Sequence, residues 1–203
     1  MIGQPKLLIA TNNRGKLQEI RDLLGDLDIT LVAPADIGLN LDIQEDGNTY
    51  AENAAKKALA FAKASGLIAL GDDSGLEVDT LNGKPGLHSN RFGPQPPTDS
   101  SRRRYLLEQL EDKPRPWRAR FRATVALAKP DGSVQLVTGS CEGEIIPEER
   151  GTNGFGYDPL FLIPELGKTM AELNTEEKNR LSHRGQAVQN AIPTLEELFN
   201  RRL

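Results

Sequence analysis

Short apolar runs alternate along this chain with polar, glycine-bearing loops and with stretches whose apolar residues recur at helical spacing. Lys6 to Ala10 reads as a first strand. From Gly15 to Leu24, the residues Leu17, Ile20, Leu23 and Leu24 fall on one helical stripe, with Gly25 as the stop. Ile29 to Ala33 predicts a second strand, followed by a polar stretch from Asp36 to Gly47. Thr49 and Glu52 have capping-box spacing at the head of an alanine-rich helix that runs to about Ala64 and closes at Gly66. Leu67 to Leu70 then predicts a strand buried on both faces, giving way to a glycine turn over Gly71, Asp72, Asp73, Ser74 and Gly75.

Beyond that turn, Leu76 to Leu81 reads as a strand ending at Asn82 and Gly83, and Thr98 to Leu110 as a helix between proline-containing loops. From Ala119, alternate residues are apolar (Phe121, Ala123, Val125, Leu127) and face away from Arg118, Arg120 and Arg122, the pattern of a half-buried strand. The arginine row reads as a solvated or interface face. Asp131 and Gly132 turn the chain into Val134 to Ile146, which makes a long hairpin. A strand at Phe161 follows, then helices over Met170 to Arg180 and Gln186 to Arg202, with Ser182 to Gly185 between them. Strand–helix units mixed with an antiparallel hairpin predict an α/β protein, a mixed sheet flanked by helices.

Composition narrows the partners. The chain has 203 residues, which suits one domain or two lobes sharing a core. A net charge of −4 argues against a duplex nucleic-acid binder, although local basic groups can still hold a small polyanion. A lone cysteine, Cys141, excludes an intramolecular disulfide and a cysteine-rich zinc site, which points to a reducing compartment, the cytoplasm. The apolar run Leu7 to Ala10 is too short for a signal peptide, and no run reaches membrane-spanning length.

The polar constellations carry the chemistry. Thr11, Asn12, Asn13, Arg14, Gly15 and Lys16 fill the loop between the first strand and the first helix. There they suit either a helix cap or a phosphate cradle, with Lys16 as the point charge. The loop has no Walker or dinucleotide glycine pattern. Adjacent strand residues point to opposite faces, so only one of Asp72 and Asp73 can readily face a given cleft; Asp73, beside Ser74 and Gly75, is the candidate working carboxylate with Asp72 as its support. Glu45, Asp72 and Asp73 are candidates for a hard cation such as Mg²⁺, though Glu45 equally suits a solvated loop, and Lys57, with Lys56, reaches either phosphates or simply water. Phe155, Gly156, Tyr157 and Asp158 place aromatic rings on a glycine loop suited to a flat base. Lys178, Ser182, His183 and Arg184 add donors that fit carbonyl oxygens on such a base.

Taken in order, these segments resemble the inosine triphosphate pyrophosphatase family, also called XTP/dITP diphosphatases. The resemblance rests on Thr11 Asn12 Asn13 with Lys16, Glu45, Asn48 Thr49 with Glu52 Asn53 and Lys57, Asp72 to Leu76, Pro85 Gly86, Phe155 to Pro159, Lys178 and Ser182 His183 Arg184, and so covers nearly the whole chain. It implies one pyrophosphatase domain over residues 1–203, a two-lobed α/β homodimer with an active-site cleft between the lobes. It also implies Mg²⁺-dependent hydrolysis of ITP, dITP and XTP to the monophosphate and pyrophosphate. Thr11 through Lys16 would then bind triphosphate, Glu45 and Asp73 would serve Mg²⁺, Asp73 would accept the proton of the attacking water, and Ser74 would touch the substrate. Phe155 would stack on the purine, with Asp158, Lys178, His183 and Arg184 around its polar edge. Leu87 His88 Ser89 Asn90 Arg91 departs from the family, which continues after Pro85 Gly86 with a tyrosine and then Ser-Ala-Arg. A pyrophosphatase for modified pyrimidine nucleotides and a non-enzymatic nucleotide-binding module are the alternative readings.

Overall fold

The computed structural model describes residues 4–200. Among them, seven strands form one mixed sheet in the order β2-β1-β3-β4-β5-β6-β7, flanked by helices. The strands are β1 (Lys6–Ile9), β2 (Thr30–Val32), β3 (Ile68–Val78), β4 (Trp117–Ala128), β5 (Val134–Ile145), β6 (Phe161–Ile163) and β7 (Lys168–Thr169). The helices are α1 (Arg14–Leu24), α2 (Tyr50–Ser65), α3 (Asp99–Leu110), α4 (Thr175–Leu181) and α5 (His183–Asn200). Both β2 and β3 run parallel to β1, whereas β6 is antiparallel to β5 and β7 to β6. The chain divides into two compact units: one holds residues up to Asp73, Ala123–Gly139 and the segment from Arg184 on, and the other holds Ser74–Arg122 and Ser140–His183.

The first unit is a layered α/β arrangement in which strand parity decides what each residue meets. Leu7 and Ile9 of β1, Ile68 and Leu70 of β3, and Ala123, Val125 and Leu127 of β4 pack with Ile20 and Leu24 of α1 and with Ala187, Val188, Ala191 and Leu195 of α5. The alternate residues Leu8, Ala69, Ala126 and Ala128 pack instead with Ala54, Ala58, Phe61 and Ala62 of α2. Strands buried on both faces must be apolar throughout, which is why β1 reads as an unbroken apolar run. Alanines on α2 let the helix lie close to the sheet. A Cβ on Gly71 would sit 2.7 Å from the Ala54 carbonyl oxygen and 2.9 Å from the Ala58 nitrogen.

In the second unit, Leu106 and Leu110 of α3 close a core with Leu76, Val78, Trp117, Phe121, Leu160 and Phe161. The arginine row of β4 is a surface ion-pair ladder: Arg120 lies 2.7 Å from Asp79 and 3.1 Å from Glu142, and Arg122 lies 3.0 Å from Glu77.

Three elements differ from the sequence reading. Gly71 to Gly75 form no turn, because β3 continues to Val78 and the chain turns only through Asp79–Leu81, with Asn82 in the left-handed region at φ 53°. Two glycines suggested a break, but Gly71 is small to admit α2, and backbone pairing carries the strand through. The helix expected from Met170 begins at Thr175, capped by Asn174, whose side chain accepts from the Glu177 nitrogen at 2.8 Å. Finally, His183 and Arg184 open α5 where a connecting loop was expected; the predicted end of that helix at Arg202 lies outside the described residues.

Replacing Gly71 with alanine is expected to lower stability by about 1–3 kcal/mol, since both contacted atoms are backbone and cannot rotate away. The measurement is the urea midpoint at constant m-value; an unchanged midpoint would refute the close seating of α2.

Candidate active site

The first candidate cluster lies where β1 ends and β3 does not. Ile9 pairs with Leu70, and the Ala10 nitrogen donates to the Leu70 carbonyl at 2.7 Å. Past that point β3 has outrun its parallel neighbour, and Asp72 and Asp73 follow. Carboxyl ends of parallel strands are where α/β sheets collect ligands, so the acidic residues occupy such a position even though their own strand continues.

Beside them, the β1–α1 loop is folded by its own side chains. Asn13 caps α1 by accepting from the Lys16 nitrogen at 3.1 Å, and Thr11 Oγ1 accepts from the Asn13 nitrogen at 3.2 Å. Asn12, Asn13 and Arg14 are exposed, Gly15 is half-buried, and Lys16 is buried.

Parity sends the two aspartates to opposite faces. Asp72 shares the face of Ile68 and Leu70, under α1 and α5. Its carboxylate lies 2.8 Å from Lys16 Nζ and 3.2 Å from Arg184 Nε, and Arg184 Nη1 lies 2.6 Å from Glu19. Asp72 is 1% exposed and Arg184 3%. Burial by itself would keep this carboxyl protonated, but Arg184, Lys16 and Lys57 outweigh it and hold the pKa well below the ordinary carboxylate range. For Arg184, too, burial opposes the charge, while Asp72 and Glu19 overcome it and raise the pKa.

Asp73 shares the face of Ala69 and Gly71, under α2. Its Oδ2 accepts from Asn53 Nδ2 at 2.9 Å, and Asn53 Oδ1 in turn accepts from the Gly47 nitrogen at 2.8 Å. Here burial dominates, and the neighbouring charge of Glu45 adds to it; together they raise the pKa against the opposing influence of Lys16, Asn53 and Lys57. Lys57 pairs with Glu45 and donates to the Asp72 backbone carbonyl at 2.9 Å.

Two mutually repelling carboxylates near lysines fit Mg²⁺, which takes one or two protein carboxylates and completes its shell with water and phosphate oxygens. Among the described residues no group of three or more His, Cys, Asp or Glu side chains could hold a metal by itself.

The second candidate cluster belongs to the other unit. Gly154, at φ 76°, leaves room for the Asp158 carboxylate, which a Cβ there would approach to 2.1 Å. Asp158 Oδ2 accepts from the Phe155 nitrogen at 2.9 Å and from Lys178 Nζ at 2.7 Å. Lys178 Nζ stands 5.3 Å from the centroid of the half-buried Phe155 ring. His183 stacks on Phe121 with ring centroids 4.6 Å apart. Ser89 Oγ accepts from the Leu76 nitrogen at 2.9 Å and donates to the Gly86 carbonyl at 2.6 Å, while His88 Nδ1 accepts from Arg91 Nε at 3.0 Å. Ser74 is half-buried.

Two further candidate residues make contacts within the protein. Tyr157 lies in the hydrophobic core and donates its hydroxyl to the Ser89 carbonyl at 2.9 Å, so its ring is packing material. Burial raises its pKa further. Arg184 stands against Asp72 and Glu19. Sequence reasoning also left Asn53 and Glu19 without roles. Asn53 had a legible signal, a buried-face amide in an otherwise alanine-lined helix; Glu19 had none, because its partner is 165 residues away.

The Ham1 family model matches residues 7–194, and the chain belongs to the Ham1 family. Among its relatives, a dITP/XTP pyrophosphatase of Desulforamulus reducens is 48% identical over 96% of this chain and 97% of its own. One from Thermus thermophilus is 49% identical over 93% and 90%. A solved HAM1 protein from Coxiella burnetii superposes with a TM-score of 0.86 at 41% identity, covering 95% of this chain and 99% of that one.

The two aspartates should separate in stability. A depressed folded-state pKa contributes stability that is present above the unfolded value and is lost as pH falls, so the ion-paired Asp72 supports the fold at neutral pH. Asp72→Asn leaves Lys16 and Arg184 buried without it and is expected to lose about 3–5 kcal/mol at neutral pH, with a flatter acid limb. Asp73 has the opposite sign: its raised pKa means that ionisation at neutral pH works against folding. Asp73→Asn should therefore stay within about 1 kcal/mol of the wild type or exceed it. Urea titrations across the acid range check both, and equal losses would refute the division.

Proposed function

We propose that this chain hydrolyses non-standard purine nucleoside triphosphates (ITP, dITP and XTP) to the monophosphate and pyrophosphate, in a Mg²⁺-dependent reaction that clears such nucleotides from the pool. The observation that carries the reading is Asp73, a buried carboxylate held by Asn53 beside Glu45 and the lysines, in a chain nearly half identical to relatives named dITP/XTP pyrophosphatase. Its assignment as one pyrophosphatase domain, homodimeric and cytoplasmic, rests on the family resemblance and, for the compartment, on the lone cysteine.

In this reading, Lys16 and Lys57 meet the triphosphate, with the exposed Asn12, Asn13 and Arg14 at the loop rim. Glu45 and Asp73 hold Mg²⁺, which when bound supplies charge neutralisation for the phosphate oxygens. Asp73 accepts the proton of the water that attacks the α-phosphorus as the bond to the pyrophosphate oxygen breaks. Asp72 holds Lys16 in place and stays ionised throughout. Phe155 stacks on the purine and Lys178, oriented by Asp158, donates to its 6-oxo group. An amino group at that position would set a donor against the Lys178 ammonium, which is how such a site rejects adenine.

The test is pyrophosphate release across a panel of dITP, XTP, ITP, the four ordinary dNTPs and modified pyrimidine nucleotides, with Mg²⁺ or with chelator. Activity confined to dITP, XTP and ITP is expected; hydrolysis of dGTP or another ordinary dNTP at a comparable rate, preference for a pyrimidine, or intact nucleotide with Mg²⁺ present would overturn the reading. Asp73→Asn should lower kcat by about 10²- to 10⁴-fold, and retention of more than about a tenth of it would remove Asp73 from the role. Arg184→Ala should lower stability and reduce turnover of ITP and ATP by the same factor, because it acts through Asp72; a selective loss on ITP would return Arg184 to the base.

A further inference from the structure

We infer that Asp99 and Arg103 are positioning residues for base recognition, clamping the peptide of Gly156 from both sides and so fixing where Phe155 presents its ring. The inference rests on the proposed role of Phe155. Asp99 is the first residue of α3 and Arg103 follows one turn later, on the same face of the helix. Asp99 Oδ2 accepts from the Gly156 nitrogen at 2.7 Å, and Arg103 Nη1 donates to the Gly156 carbonyl at 2.9 Å. Both polar groups of one residue are thus held by two side chains from one helix, across more than fifty residues of sequence.

Neither side chain is accounted for by local duty. The N-cap of α3 is Thr98, whose Oγ1 accepts from the Ser101 nitrogen at 3.1 Å, so the Asp99 carboxylate is not needed as the cap. Its other oxygen pairs with Arg102, and Arg103 Nε lies 2.8 Å from Glu149, which orients both clamp arms.

The clamped residue is one that needs bracing. Gly156 has φ 63°, and an unbraced glycine moves readily between left- and right-handed conformations. On the other side of the ring, the Phe155 nitrogen is held by Asp158. Phe155 therefore stands between two anchored peptides. A stacking ring on a loop contributes only when its place is set before the ligand arrives.

The experiment measures KM and kcat for dITP and the affinity for inorganic tripolyphosphate, which has no base. Asp99→Ala is expected to raise KM by about tenfold, the range of a lost stacking contact, with kcat within about threefold of wild type and tripolyphosphate affinity unchanged. Asp99→Asn, which keeps an acceptor, should restore most of the affinity, and Arg103→Gln should weaken it in the same way as Asp99→Ala. In a Phe155→Ala background, Asp99→Ala should add less than about a twofold change, because the ring it positions is gone. An equal KM increase in that background, or a parallel loss of tripolyphosphate affinity, would make the clamp merely structural and overturn the inference. If Phe155→Ala raises KM while Asp99→Ala and Arg103→Gln do not, the clamp fails and the base reading stands. If Phe155→Ala leaves KM unchanged, the base reading fails and the clamp with it. Should Asp99→Ala not fold, Arg103→Gln decides alone.

Discussion

The buried carboxylate of Asp72 is the group around which the first unit is arranged. An isolated charge with 1% exposure would be strongly unfavourable, and it persists because Lys16 and Arg184 approach it from two directions. Those partners come from the head of α1 and the head of α5, so one carboxylate ties together three segments remote in sequence. The contact also directs Lys16. Its ammonium is drawn in against β3, at the end of the parallel strands.

From that constraint follows the division of labour between two adjacent aspartates. Side chains alternate along a strand, so once Asp72 is committed to the α1 and α5 face, Asp73 must turn toward α2. The environments then push the two carboxyls apart, one held ionised by cations, the other made reluctant to ionise by burial and by Glu45. Two glycines serve different ends: Gly71 admits α2 against the sheet, and Gly154 makes space for the Asp158 carboxylate beside Lys178.

How far these arrangements could be read beforehand depended on the range of the interactions. The strand and helix periodicities, the Thr49 cap and the opposite facing of Asp72 and Asp73 were legible because each is set within a few residues. Asn13 proved to be a cap while its loop remained a phosphate candidate, since capping engages only one of its side chains. Where local signals competed, the reading went astray. Gly71 and Gly75 resembled a turn, yet β-pairing carried the strand through them.

The sequence alone determined the α/β class, the order of the chemistry-bearing segments and the family resemblance, since these depend on residue type and spacing. Tertiary structure decided which cation meets which carboxylate. It placed Arg184 against Asp72 and Glu19, gave Asn53 to Asp73, and brought Asp99 to the Gly156 nitrogen and Arg103 to its carbonyl. Each of these contacts joins residues at least twenty positions apart, and no periodicity encodes such a distance; it is fixed only when strand parity and helix packing bring the partners together in a medium where unpaired charge is costly.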